Sequence, residues 1–134
     1  MTFLDTNILV YSIDLRDARK QSVARSIVFA AKDSGRYLLS AQVLNEFANV
    51  ALRKLGQTRE QTLAMVRKFG AIRSTPVLPE WTTRALEISV QYDIQFFDSL
   101  LLAAAEANGC DEILTEDLAD GQTYCGVRAV NPFK

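Results

Sequence analysis

The polar and apolar positions alternate between two rhythms. Short apolar runs at residues 2–4, 37–39 and 112–115 have the length of buried strands, and a fourth at 128–130 closes the chain. Longer segments between them repeat apolar positions at helical spacing. Ile8, Leu9 and Tyr11 begin a short helix; Val23, Ile27 and Ala30 mark one over about 17–33, with Ser34-Gly35 as its stop and Gly35 as a C-cap residue. Ser40 reads as the N-cap of a helix striped by Val43, Phe47, Val50 and Ala51 that ends near Gly56. Thr58 restarts a helix that stops at Gly70. Pro76 and Pro79 make 74–79 an edge strand or its exit, because proline removes a ladder donor. Trp81, Ala85, Leu86 and Ile88 define the next helix. Residues 93–97 form a connector, and Asp98 opens the most apolar helix, 99–107, closed by Asn108-Gly109.

The order β-α-α-β-α-α-β-α-α-β-β predicts an α/β fold, with a mostly parallel sheet and helices on both faces. No repeat, low-complexity tract or linker divides the chain, so residues 1–134 are expected to form one domain. The hydrophobic content of 49% is that of a globular protein, and no apolar run is long enough to span a bilayer. Residues 100–105 are the greasiest stretch, and Glu106 ends it. The opening Phe3-Leu4-Asp5 has neither a basic n-region nor a small-residue cleavage site, so no secretory signal is read. Cys110 and Cys125 lack metal-site spacing; free thiols in a reducing cytoplasm are expected rather than a disulfide.

The composition also narrows the chemistry. There is no histidine, which removes Ser-His and Cys-His catalysis, histidine general bases and most zinc sites. Hydrolysis would have to run on carboxylates, metals, lysine or hydroxyls. Four acids then stand out. Asp5 follows the first strand and Asp117 follows the run 113–115. In a parallel α/β sheet, ligands bind outside the carboxyl ends of the strands, so the two would meet at one rim. Glu46 and Asp98 lie on strongly apolar helical segments, where a charge is costly without a purpose. Carboxylates gathered without a counter-charge either hold divalent cations or destabilise the fold.

Each acid has a plainer reading. Asp5 and Asp98 suit helix N-caps, and Glu46 could sit at the edge of its apolar stripe. Asp120, before Gly121, suits a turn and ranks as an accessory ligand. Thr6 and Asn7 can orient Asp5, and the Thr115 hydroxyl can hold Asp117. Taken together, three or four carboxylates around an open position suit Mg²⁺ or Mn²⁺, hard cations that keep part of their water shell. Such a site suits phosphodiester hydrolysis, which it can serve without histidine.

The net charge of −1 argues weakly against nucleic acid. If metal neutralises the four acids, 15 basic residues face 12 of the 16 acidic ones. Basic residues also bunch at Arg16-Arg19-Lys20-Arg25 and at Arg53-Lys54-Arg59-Arg67-Lys68-Arg73. These are candidate phosphate contacts, or else solvated helix faces.

The motifs Phe3-Leu4-Asp5-Thr6-Asn7, Asn45-Glu46-Phe47, Phe97-Asp98-Ser99-Leu100-Leu101-Leu102-Ala103-Ala104-Ala105 and Thr115-Glu116-Asp117-Leu118 occur in this order along nearly the whole chain. With them the sequence resembles the PIN-domain ribonucleases, and among these the VapC-type toxins of toxin–antitoxin pairs. The resemblance implies a three-layer α/β/α sandwich, Mg²⁺ or Mn²⁺ as cofactor and cleavage of single-stranded RNA. It also implies an antitoxin that covers the acidic rim, and a homodimer. The family's four acids map onto Asp5, Glu46, Asp98 and Asp117, its supporting hydroxyl onto Thr115, and an acid present in a subset onto Asp120. A haloacid-dehalogenase-like phosphatase would need a second acid at the position of Asn7. A receiver-like module would need a phospho-acceptor aspartate after a middle strand, where Leu38-Leu39-Ser40 offers none. A non-catalytic PIN module that binds RNA or protein is the remaining alternative.

Overall fold

The computed structural model describes residues 1–134. The chain runs β1 (Thr2–Leu4), α1 (Thr6–Ile13), α2 (Ala18–Ala31), β2 (Tyr37–Ser40), α3 (Ala41–Arg53) and α4 (Arg59–Phe69). It continues through β3 (Arg73–Thr75), α5 (Glu80–Tyr92), α6 (Phe96–Ala107), β4 (Glu112–Leu114), β5 (Thr123–Tyr124) and β6 (Val127–Val130). One sheet has the order β3-β2-β1-β4-β6-β5. All neighbours are parallel except β5 and β6. This is the expected α/β/α architecture.

The strand order explains the layers. From β1 the chain steps outward to β2 and then β3, with α1 to α4 in the crossovers. It then returns across the sheet to β4 by way of α5 and α6. Right-handed crossovers in opposite directions put the two groups of helices on opposite faces. The order therefore reverses between β1 and β4, and the crevice at a reversal lies beyond the carboxyl ends of those two strands.

Both faces of the sheet are covered. Phe3, Leu4, Leu38, Leu39 and Ile113 are buried, as befits strands that read as continuous apolar runs. Phe47 of α3 and Phe69 of α4 meet edge to face at 4.9 Å on one side. On the other, every residue from Leu100 to Ala105 is buried. The alanines of this run leave room for α6 to pack closely against α5 and the sheet.

Several boundaries differ from the sequence pattern. Helix α1 begins at Thr6, so the Asp5-Thr6-Asn7 segment is a cap and first turn rather than a separate turn. Helix α2 ends at Ala31, and Asp33 takes the left-handed position just beyond it (φ 57°), a conformation aspartate tolerates. Gly35 (φ 70°) therefore serves the turn into β2 and is not the helix cap. Strand β3 is the sheet edge, as expected, but it ends at Thr75, with both prolines beyond it. Strand β5 was not legible in the pattern. It pairs back on β6 through Cys125-Gly126, both at positive φ, the backbone of a two-residue hairpin turn. Cys110 and Cys125 are free thiols. No helix is long and apolar enough to cross a membrane.

Candidate metal centre at the strand reversal

Asp5 is the first residue past β1 and the N-cap of α1. Its Oδ1 accepts from the Thr6 backbone N–H at 2.6 Å. Its own N–H reaches the Leu114 carbonyl at 3.1 Å, so the β1–β4 ladder continues one step beyond the paired Leu4 and Leu114. That step sets Asp5 beside Thr115, whose hydroxyl donates to Asp5 Oδ2 at 2.6 Å. The same hydroxyl oxygen accepts from the backbone N–H of Asp117 at 3.0 Å. The expectation that Thr115 holds the Asp117 carboxylate is thus corrected. Thr115 grips the Asp5 carboxylate and the Asp117 backbone, because the sheet register places it beside Asp5 and the chain turns immediately after β4.

Asp98 is not an N-cap. Helix α6 begins two residues earlier, at Phe96, with Gln95 at the cap position and no side-chain cap bond. Asp98 lies in the first turn, half-buried. No donor of the chain accounts for its placement; its surroundings act by burial and by repulsion from Asp117 and Glu46.

The structure brings three of the expected acids together. One carboxylate oxygen each from Asp5, Asp98 and Asp117 lies within 4.8 Å of the others. Asp5 is buried, Asp98 intermediate and Asp117 exposed, so the cluster opens outward from the sheet. Glu46 stands alongside. It accepts from the Thr6 hydroxyl at 2.9 Å and from Gln42 Nε2 at 2.6 Å, and its charge is felt at Asp98. Asp120 is not brought to the cluster. Its carboxylate accepts the Asn131 N–H at 2.8 Å and pairs with Lys134 at 3.6 Å, which together keep it below the ordinary carboxylate pKa.

The electrostatics follow from crowding. Burial pushes Asp5 up to about 7; the Thr115 and Thr6 donors pull it down, and Asp117 and Asp98 push it further up. Burial, then Asp117 and Glu46, raises Asp98 to about 6. Nothing cationic within the cluster offsets this repulsion.

Asn7 links two of the acids. Its Nδ2 reaches Asp5 Oδ2 at 3.4 Å and Asp117 Oδ2 at 3.2 Å. Its Oδ1 is buried without a donor. The amide cannot turn round without presenting an acceptor to two carboxylates, so the orphaned Oδ1 is a consequence of the acid cluster.

Other residues of the rim carried no sequence signal of their own. Glu116 accepts hydrogen bonds from the Tyr11 hydroxyl and from Lys20 Nζ, the latter at 2.9 Å, and so anchors the segment that carries Asp117. Gln42 is one helical turn before Glu46; its i, i+4 spacing is the only hint of the pairing. Of the first basic cluster, Arg16 is held by Asp14 at 2.8 Å and Lys20 by Glu116. Arg19 donates to the Phe133 carbonyl and Arg25 to the Ser12 carbonyl. Most of that charge is engaged within the fold. Arg16 and Lys54 nevertheless line the same open groove as Asp5, Glu46 and Asp117.

The family model for the PIN domain matches residues 2–119. The chain belongs to the PIN-domain family. Among solved structures, it is similar to the sarcin-ricin loop-cleaving toxin VapC20 of Mycobacterium tuberculosis. That match has 22% identity and a TM-score of 0.68, over 84% of this chain and 87% of the other. It is also similar to a chain of a toxin–antitoxin complex from Klebsiella pneumoniae, with 19% identity and a TM-score of 0.74 over 98% of each chain. A third match is a chain of the DNA-bound VapBC complex of Salmonella typhimurium, with 18% identity and a TM-score of 0.68 over 96% and 95%. At these identities the likeness establishes a shared fold. No curated protein matches the chain.

Proposed function

We propose that this PIN-domain protein is a metal-dependent endoribonuclease, the toxin of a toxin–antitoxin pair, acting in the cytoplasm as a homodimer under the control of a cognate antitoxin. The observation that carries the reading is the convergence of Asp5, Asp98 and Asp117 at the strand reversal, without a cation among them. The fold shared with toxins of this kind supports it.

The donor set fits Mg²⁺ or Mn²⁺. All three groups offer hard oxygen ligands; the chain has no histidine, and neither cysteine belongs to the cluster. Asp5, Asp98 and Asp117 would hold the ion, with Glu46 beside them. When bound, a divalent ion supplies Lewis-acid stabilisation of phosphate oxygens and favours ionisation of water.

The protein residues have separable tasks. Asp5 is fixed by Thr115, Thr6 and Asn7 and so forms the rigid floor of the site. Asp98 is freer, half-buried and without a hydrogen-bond donor from the chain, and so is placed to orient an attacking water. Asp117 forms the exposed edge where a backbone phosphate arrives. Lys54 and Arg16 in the adjoining groove suit neighbouring phosphates. Mapping the 5′ ends of RNA cleaved after brief expression, beside an Asp98→Asn control, tests the reading. Discrete new ends with the parent protein and none with the control are expected. Intact RNA in both would favour a non-catalytic module.

A further inference from the structure

The acid cluster has an apolar neighbour. A pocket of about 620 Å³ opens between α3, the β3–α5 link and α6, walled by Gln42, Asn45, Glu46, Val77, Phe97 and Leu100. Glu46 lines both this pocket and the groove that holds Asp5 and Asp117. Phe97 directly precedes Asp98, so an occupant of the pocket lies next to the chemistry.

The lining is selective. Leu100 is only 8% exposed and forms a closed apolar wall, whereas Phe97 presents its ring with 64% exposure. The Phe97 ring is braced edge to face by Phe96 at 5.3 Å. Gln42 ties α3 to α6: its Nε2 donates to Glu46 at 2.6 Å and to the Phe97 carbonyl at 3.3 Å. Its Oε1 remains an acceptor, and the exposed Asn45 amide can both donate and accept. The one charged group in the wall is the Glu46 carboxylate, which repels phosphate. A flat, neutral group with hydrogen-bonding edges fits; a phosphate does not.

We propose that this pocket is a nucleobase subsite, in which Phe97 stacks on a base flanking the scissile phosphate while Asn45 and Gln42 read its edge. The subsite rests on the ribonuclease reading and deepens it. Phosphates follow the Arg16 and Lys54 side of the acids, and a splayed base enters the opposite side. Exposed aromatic rings serve single-stranded RNA in this way, because every base has a face to stack and sequence is read at its edges.

The test is cleavage of a mixed RNA pool and of a short single-stranded RNA taken from its mapped sites, by the parent protein and the Phe97→Leu, Phe97→Tyr and Asn45→Ala variants. Phe97→Leu should raise KM roughly 5- to 150-fold with kcat largely kept, the range for loss of one base stack. Phe97→Tyr should restore KM. Asn45→Ala, at an exposed helix position, should relax the preference at one nucleotide beside the cut. Unchanged KM and unchanged site preference in both Phe97→Leu and Asn45→Ala would overturn the subsite while leaving the ribonuclease intact. Sedimentation provides a second check: if Phe97→Leu converts a dimer to monomer, and that conversion accounts for the lost cleavage, the pocket is a contact between copies and the proposal falls. A parent protein that cuts no RNA with Mg²⁺ or Mn²⁺ would overturn the ribonuclease reading itself, and the subsite with it.

Discussion

The Thr115 hydroxyl donates a 2.6 Å hydrogen bond to Asp5 across the junction of β1 and β4, although 110 positions separate the two residues. Both are buried, with Thr115 1% and Asp5 4% exposed. The bond is the chief influence that holds the Asp5 proton affinity down against burial. A single side chain thus helps to orient the innermost acid and favours its charged form.

Thr115→Val should therefore weaken metal binding before it unfolds the protein. It keeps the shape and removes the donor, which leaves a buried carboxylate oxygen short of one partner. A cost of about 1–3 kcal/mol is expected when such a group loses its bond. Loss of an orienting partner typically lowers metal affinity or activity by about 10- to 100-fold. Mn²⁺ titration and a thermal melt of the same variant check both effects. Unaltered Mn²⁺ affinity would show that Asp5 is positioned without Thr115.

Asp5→Asn, Glu46→Gln, Asp98→Asn and Asp117→Asn should each abolish or strongly reduce RNA cleavage. The effect on stability runs the other way. Asp98 sits among like charges, raised by burial, Asp117 and Glu46. Its neutral amide relieves that repulsion, so the Asp98→Asn protein should melt at the same temperature as the parent or above it when metal is absent. A correctly folded Asp98→Asn protein that still cuts RNA would remove the acid from the mechanism.

Stability without metal should depend on pH in an unusual direction. Asp5 is raised to about 7 and Asp98 to about 6, above the value of about 4 expected in the unfolded chain. The folded protein then binds more protons than the unfolded one between about pH 4 and pH 7, so these two groups lower stability as pH rises through that window. Melting in chelator should show this decline. Mg²⁺ or Mn²⁺ binds the ionised folded site and should raise the melting temperature most near pH 7. A metal shift that is absent at pH 7 would argue against the acid cluster as a cation site.

The basic residues inside and outside the groove should separate on RNA. Arg19 and Lys20 already bond to the Phe133 carbonyl and to Glu116. Lys54 lines the groove beside the acids. Lys54→Ala should weaken RNA binding uniformly across sequences and reduce the salt slope by about one phosphate contact. Arg19→Ala should leave the slope nearly unchanged. Equal, undiminished slopes in both variants would identify Lys54 as part of a solvated face.

Much of this frame is legible in the sequence because the strands are buried on both faces and read as plain apolar runs. Asp5 and Asp117 could be placed at one rim because each lies just past such a run, and a parallel sheet puts those ends together. The start of α6 was not legible: Gln95 makes no side-chain cap, so the capping residue Asp98 reads as the opening although it lies in the first turn. The role of Thr115 depends on the β1–β4 register, which no local pattern contains. Strand β5 was hidden because its turn is Cys125-Gly126 rather than an asparagine-glycine pair. Asp120 reads as an accessory ligand because it lies three residues past Asp117, but the hydrogen bond with Asn131 that draws it away spans 11 residues.

The chemistry of the product ends follows from what the site contains. Cleavage through the ribose 2′-OH needs a base to remove that proton, and it yields a 2′,3′-cyclic phosphate. Histidine, the commonest general base, is absent from the chain. The acids instead suit water: Asp98, free of any donor from the chain, can orient it, while Asp5 is held in place by Thr115 and Thr6. Attack in line on phosphorus then expels the 3′-oxygen. Products should carry a 5′-phosphate and a 3′-OH, and an RNA with a 2′-deoxy scissile nucleotide should still be cut. End-group analysis by mass spectrometry and phosphatase sensitivity reads this directly. A cyclic phosphate, or complete resistance of a 2′-deoxy substrate that still binds, would assign the nucleophile to the ribose and leave the acids to orient the phosphate alone.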